Sequence, residues 1–418
     1  MAGEFSNRKK LILLANAIES NLNYIKNADD LFPQSEVAKA KYGMTMHGYL
    51  TDAGSTSKGL VAHPDKAHQV EVSTVCQNWN TSAETDMWDT LMNIEDFKRE
   101  MVDKRSEKLA RDVQKDIIDQ NIYRSAQAEV ATSAGYALLS NASAKLDELS
   151  IVGDRVDFQT PTVFTKIAQT GANLFWPSDI QKETYEEMSL GEYANAASVK
   201  LPGLPVLDTT GATTAPTISG TVVTDASGNA IGVKAITAIT TGASGDIVPG
   251  VPYVLDGLKI VDEGGVDTEQ AYVVIPVNEV YFDEDGVEQT RVVIPPLRIS
   301  VSGKGWGNPN AHCAKSVIDG ATVGTTATFT LAPLTGIEIG EKYQVGQVRN
   351  VKALSFSKLT FEGLPAAKQD NVGVGEFITL KMQSAPVVLN GVSYFRIDMP
   401  YIATIPDNRQ SVTTYLKV

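Results

Sequence analysis

The residue types that could do chemistry are sparse: four histidines, two cysteines and a few adjacent carboxylates in 418 residues. His63-x4-His68, with Asp65 between, loosely resembles metal-ligand spacing. Pro64 breaks any helix that would bring both imidazoles to one face, and no His-Glu-x-x-His occurs, so a polar hairpin is the stronger reading. Asp283-Glu284-Asp285-Gly286 offers carboxylates to a hard cation but lacks the spacing and terminal Glu of a calcium loop. Its Asp-Gly pair is instead a tight hairpin signature. Glu186-Glu187 and Asp262-Glu263 could be acid–base dyads, although such runs on acidic surfaces are usually solvated. Cys76 and Cys313 are far apart, with no histidine beside them to activate a thiolate, and read as reduced. Gly303-x-Gly305-x-Gly307 lacks the strand-to-helix setting of a dinucleotide loop, and there is no P-loop. Nothing assembles a nucleophile, a base and an orienter. The sequence therefore predicts no catalytic residue, no cofactor and no metal.

The elements must then position something other than an active site. The length suggests two or three domains, and 43% apolar with 21% charged residues can bury real cores. The net charge of −14 disfavours phosphate backbones and anionic membranes. Arg8-Lys9-Lys10 before Leu11–Ala15 imitates a secretion signal, but the apolar run is shorter than the usual ~7–15 residues. No stretch approaches the ~20 apolar residues of a membrane span. The segment reads as a helix capped by Ser6, with Leu11, Leu14, Ile18, Leu22 and Ile25 on one face. That stripe needs a partner, either its own body or another chain.

Five regions follow. Residues 1–45 form an N-terminal arm, and 46–92 an extended hairpin loop in which Val70, Val72 and Thr74 alternate with polar residues around a tip at Gly54–Gly59. Residues 93–128 predict a long helix: Asn93 caps it, twelve of the nineteen residues from Lys98 to Asp116 are charged, and Ile94, Phe97, Met101, Leu109, Val113 and Ile117 form a narrow stripe. Residues 129–207 and 351–418 predict an α+β body, with helices at Tyr136–Leu149 and from Pro161 to Gly171, and strands at Arg155–Phe158, Ala353–Leu359, Glu376–Met382, Tyr394–Ile397 and Thr413–Leu416. The tail, too small for its own core, is expected to pair back onto 129–207. Residues 208–350 lose helical periodicity and predict an inserted all-β, barrel-like domain, with hinges at Thr209–Pro216 and Gln344–Asn350.

This order of elements resembles the tailed-phage capsid fold that herpesviruses share. Leu201–Leu207 followed by the Thr-rich Asp208–Gly220 is similar to the lead-in to the inserted domain of short-tailed phage coat proteins related to the temperate Salmonella podovirus. Phe158–Ala168 resembles their Pro-led apical helix, and Phe395–Val412, with Tyr401–Thr404 and Pro406, their closing strand. The resemblance implies a capsid fold with N-arm, extended loop, spine helix, and peripheral and apical domains. It implies a major capsid protein that forms pentamers and hexamers with itself around a scaffolding protein, in the host cytoplasm. A portal then admits double-stranded DNA, and the procapsid expands into the virion shell. It further implies subunit or scaffold contacts at Leu11, Leu14, Ile18, Leu22, Ser55 and Lys58, with Asp52–Lys66 lying over the adjacent subunit and the β insertion touching neighbouring capsomers. Some relatives crosslink a loop Lys to a neighbour's Asn; Lys58 sits in such a loop, but this podovirus type does not crosslink.

Two other classes compete. A secreted adhesive or carbohydrate-binding β module on an α/β stalk needs a secretion route and exposed aromatic platforms, of which only Trp306 fits. A hydrolase with an unrecognised carboxylate site would show activity on glycosides or esters. If the arm's stripe needs an external partner, deleting Met1–Asn27 leaves a folded subunit that cannot assemble.

Overall fold

The computed structural model describes residues 7–26, 28–33, 37, 39–51, 69–86, 104–171, 192–224, 227–240, 246–262, 267–295, 297–301, 313–315, 326–359, 369–374, 377–387 and 392–418. Mixed α+β architecture is observed, dominated by sheets.

The chain starts with helix α1 (Asn7–Asn21) and a 3-10 turn at Asn23–Ile25. Leu14, Ile18, Leu22 and Ile25 are buried at 5% exposure or less, in one core with Leu109, Val113 and Ile117. Those three belong to the long helix α2 (Lys104–Asn121), whose Lys104, Lys108, Arg111 and Lys115 face solvent. Polar anchors fix α1 as well: Glu19 Oε1 accepts the backbone N–H groups of Phe377 and Ile378 at 2.6 and 2.9 Å. The stripe thus finds its partner within its own chain, the first of the two alternatives that the pattern left open. The helix predicted over 93–128 needs correction at its C-terminal end. Asn121 donates to Ile117 O and accepts from Ile405 N, the chain turns through Tyr123–Ser125, and Gln127–Ala131 becomes strand β4. Residues 93–103 lie outside the described residues.

Hairpin β1 (Thr45–Thr51) and β2 (Gln69–Val75) pair antiparallel with no bulge, and β3 (Gln77–Asp86) follows. After β4 come helix α3 (Tyr136–Glu148), β5 (Arg155–Gln159) and helix α4 (Pro161–Gly171). Pro161 opens α4 because its missing N–H is an orphan there anyway. Strands β6 (Glu192–Tyr193), β7 (Ala196–Lys200) and β8 (Val206–Asp208) lead into a β-rich run.

That run holds β9 (Thr217–Thr224), β10 (Ala230–Thr240), β11 (Tyr253–Val261), β12 (Asp267–Val274), β13 (Val277–Phe282), β14 (Glu288–Val293), β15 (Leu297–Val301), β16 (Cys313–Lys315), β17 (Thr326–Thr330) and β18 (Ala332–Pro333). Pairings run from β11 through β16, β15, β10 and β9 to β17, and the chain then continues through Leu331 into β18, which pairs back onto β11. β12 remains at the edge on the other side of β11. Ile218, Val233, Leu258, Ile260, Ile299 and Phe329 are among its buried side chains.

The body sheet has the order β4-β24-β19-β5-β7-β6, with β8 also on β19. Here β19 is Lys342–Asn350 and β24 is Ser411–Lys417. The segment expected to hinge at Gln344–Asn350 is therefore a central strand, bonded to both β24 and β5. Its polar residues hid it. Gln347 is fully buried, accepts from Tyr24 Oη at 2.7 Å and donates to Asn121 O at 3.2 Å. Arg349 is buried with its guanidinium 4.8 and 5.2 Å from the Tyr24 and Phe158 ring centroids, and it donates to Tyr24 O at 2.5 Å. The β-rich run returns to the body where it left it, since Asp208, Leu207 and Val206 pair with Lys342, Tyr343 and Gln344.

A further sheet comprises β20 (Ser355–Lys358), β21 (Gln369–Val374), β22 (Thr379–Val387) and β23 (Val392–Thr404), with β3 on the other side of β23. Of the tail, β24 pairs with β4 and β19, whereas β20–β23 form this separate sheet with β3. Helix α2 flanks β3, with Gln120 Nε2 2.9 Å from Gln77 Oε1 and Arg105 Nη1 3.3 Å from Ser82 O.

Candidate assembly surface

Among the described residues, a surface with unmet bonding capacity is the β1–β2 hairpin. It forms a two-stranded sheet on its own, so among the described residues both outer edges lack a strand partner. An isolated hairpin is marginal in water, and open edges are templates for further strands. Tyr42, Met44 and Tyr49, at its base and along β1, are 50%, 43% and 47% exposed. The base is held rather than loose. Gly43 N donates to Cys76 O, and Cys76 N to Met44 O at 2.9 Å.

A second hairpin braces this base. β13 and β14 pair through a turn in which Asp283 Oδ1 accepts from Asp285 N and Val287 N. The acidic loop at Asp283–Gly286 is thus a turn whose carboxylate is spent on backbone. Tyr42 donates to Glu288 Oε2 at 3.0 Å, and its ring meets Phe282 edge-on at 5.0 Å. Gly43, at φ +77°, lies against the same ring, where a Cβ would sit 3.2 Å from Phe282 Cγ. Residues 288–292 of β14 are all exposed.

The residues predicted as contacts divide. Leu14, Ile18 and Leu22 are core residues of their own chain, so they offer nothing to a neighbour: burying a helical stripe internally satisfies it as well as an external partner would. Leu11 lies in α1. Ser55 and Lys58, with the rest of Asp52–Lys66, lie outside the described residues, as do His63, His68, Glu186, Glu187, Glu263 and Gly303–Gly307. Asp262 presents its backbone carbonyl to Arg409 Nη1 at 2.9 Å. Cys76 and Cys313 are buried and form no disulfide; burial pushes the Cys76 thiol up to about 12 and the Cys313 thiol higher still, which disfavours the thiolate at both. Among the described residues, no three His, Cys, Asp or Glu side chains gather as a metal site. No helix among them is long and apolar enough to cross a membrane.

Surface hollows among the described residues include two that adjoin α3 or α4. One of about 490 Å³ lies between the β4–α3 loop, α4 and β24, near Ser133, Lys166 and Lys417; Lys417 is tied to Glu338 at 2.8 Å. The other, of about 380 Å³, lies between α3, β4 and β12, and is crossed by the Lys145–Glu129 pair at 2.6 Å. Sequence reasoning missed the aromatic base of the hairpin. The signal was Tyr42 and Met44 just before β1 and Tyr49 within it.

The architecture so defined is a mixed α+β chain with a β-rich run returning to its point of departure and an unpartnered hairpin. No protein-family model matches the chain, and no curated protein matches it. Among solved structures it is similar to the capsid of Ralstonia phage GP4, with 7% identity and a TM-score of 0.42 over 94% of this chain and 93% of that one. It is similar to the capsid of cyanophage P-SCSP1u, with 10% identity and a TM-score of 0.40 over 93% and 89%. It is also similar to the acid-stable capsid of Helicobacter pylori bacteriophage KHP30, with 9% identity and a TM-score of 0.40 over 94% and 88%. At such identities no residue role transfers.

Proposed function

We propose that this chain is the major coat subunit of a tailed-phage head, which builds a closed shell by associating with copies of itself. The observation that carries the reading is the β1–β2 hairpin, with two open edges and an exposed aromatic base braced by β13–β14. A rigidly based, edge-open hairpin is suited to lying on a neighbouring copy, where its main-chain groups and aromatic side chains gain partners. The residue patterns at Phe158–Ala168, Leu201–Gly220 and Phe395–Val412 that resemble short-tailed phage coat proteins support the same reading.

In this proposal the subunits form pentamers and hexamers around a scaffolding protein in the host cytoplasm. The segment Asp52–Lys66 lies over the adjacent subunit, α2 is the spine, and residues 208–350, less the body strand β19 (Lys342–Asn350), are the inserted domain. A portal admits the double-stranded DNA, the shell expands, and the chain resides in the virion. Negative-stain microscopy of the purified protein, expressed alone and with a candidate scaffolding protein, tests this. Uniform closed shells are expected in at least one condition; a clean monomer in both refutes it.

A further inference from the structure

The body sheet holds a carboxyl group that the proposed function does not use. Asp157 lies in β5, opposite Val348 of β19 and Ser198 of β7, and is 0% exposed. Strand alternation puts Arg155, Asp157 and Gln159 on one face. Asp157 Oδ1 accepts from Gln159 Nε2 at 2.8 Å, and the same amide donates to Thr414 Oγ1 at 3.1 Å. Asp157 Oδ2 and Ser198 Oγ are both buried with no hydrogen-bond partner in place. Gln159 is pinned over Gly346, where a Cβ would meet its Oε1.

The cations around this face are engaged elsewhere. Arg155 donates to the Ser143 carbonyl and pairs with Asp147 of α3 at 2.5 Å. Lys200, at the end of β7, sits 4.9 Å over the Phe164 ring of α4. Lys145 of α3 is paired with Glu129 of β4, Lys417 of β24 with Glu338, and Lys166 of α4 faces solvent. Opposite Asp157, β19 and β24 bring Gly346, Val348 and Thr414. Among the described residues, a negative charge here has neutral donors only.

We propose that Asp157 is a buried proton switch: it is held neutral within the folded body sheet, and its ionisation loosens the seam between β5 and β7. Burial pushes its carboxyl up to about 7, and the hydrogen bond from Gln159 and the neighbouring Ser198 hydroxyl offset this only in part. A carboxyl raised in the folded state contributes stability that is complete below the ordinary Asp value. That contribution is lost as pH rises to about 7, and the stability is level beyond.

The test is chemical unfolding of the full chain from pH 4 to 8, for the wild type and Asp157→Asn. Relative to the variant, the wild-type folded-to-unfolded ratio should fall on the order of a thousandfold across that range. Amide exchange in Ala196–Lys200 should quicken with pH in the wild type only. Ser198→Ala, which removes a hydroxyl that favours the carboxylate, should move the midpoint upward. Infrared spectroscopy of the wild type should show a protonated carboxyl band at pH 5 that is gone at pH 8, a readout that survives if the Asn variant misfolds. Parallel pH curves for the two proteins, or no protonated carboxyl at pH 5, would overturn the proposal. These readouts belong to the single subunit and are independent of whether shells form.

Discussion

At the residue scale, the most demanding positions are contacts where backbone or amide meets a ring or strand. Gly250 has φ +90°, and a Cβ there would lie 2.5 Å from the Tyr123 ring. Its carbonyl accepts from Tyr415 Oη at 2.7 Å, and its N–H donates to Pro276 O. Gly250→Ala therefore adds both overpacking and a left-handed non-glycine residue. It should cost about 3 kcal/mol or more in urea unfolding. Gln347→Leu should cost about 1–3 kcal/mol, because Tyr24 Oη loses its buried acceptor and Asn121 O its donor. A variant as stable as the wild type in either case would mean that the surrounding side chains repack freely. Neither position was legible in the sequence. Gly250 resembles any turn glycine, and Gln347 any solvated linker residue, because what distinguishes them is the tertiary neighbour.

At the element scale, α1 is part of the core. Ile18→Ala should cost about 2–5 kcal/mol by the cavity it leaves, measured by denaturant unfolding. Deleting Met1–Asn27 should give a chain with lost near-UV circular dichroism, rather than a folded but assembly-deficient subunit. The amphipathic stripe announced that α1 needs a partner, but periodicity cannot say whether the partner is the same chain. Elements whose pattern is local were readable: α4 with its leading Pro161, α3 between Tyr136 and Glu148, and strands such as β9 and β15 bounded by turn residues. Those that failed depend on distant residues. β19 is a strand because Tyr24, Phe158 and Asn121 satisfy its buried Gln and Arg. The charged pattern of α2 stops being helical where Asn121 is recruited by Ile405. Among the contacts, the hydrophobic positions were visible, but their burial reverses the role expected of Leu14, Ile18 and Leu22.

At the scale of the whole molecule, the β-rich run has a pairing circuit of its own, completed between β17 and β18 by the chain itself, and buries side chains such as Ile218, Val233 and Ile299. Residues 208–341 expressed alone should therefore fold, giving a dispersed amide spectrum; a collapsed spectrum would show that the circuit needs the body. The body in turn is fastened to this run. Arg409, ion-paired with Asp407 at 2.8 Å, donates to Val261 O and Asp262 O, and Val273 N donates to Ala126 O. These ties bear on the two segments that pair as β4 and β24, so relative motion of the two parts would break several buried bonds at once.

The register that places Asp208 beside Lys342 gives the fold a modular character. Two cut ends already lie side by side as neighbouring strands, so a tight turn could rejoin them and excise the 133 intervening residues (209–341) without stretching the body. The same geometry would accept a foreign cassette whose termini are a strand-spacing apart. Excision would nonetheless uncover Tyr123, Arg409 and Tyr415. A shortened chain should become sticky at that scar, and a graft should succeed only if it brings its own cover for those three side chains.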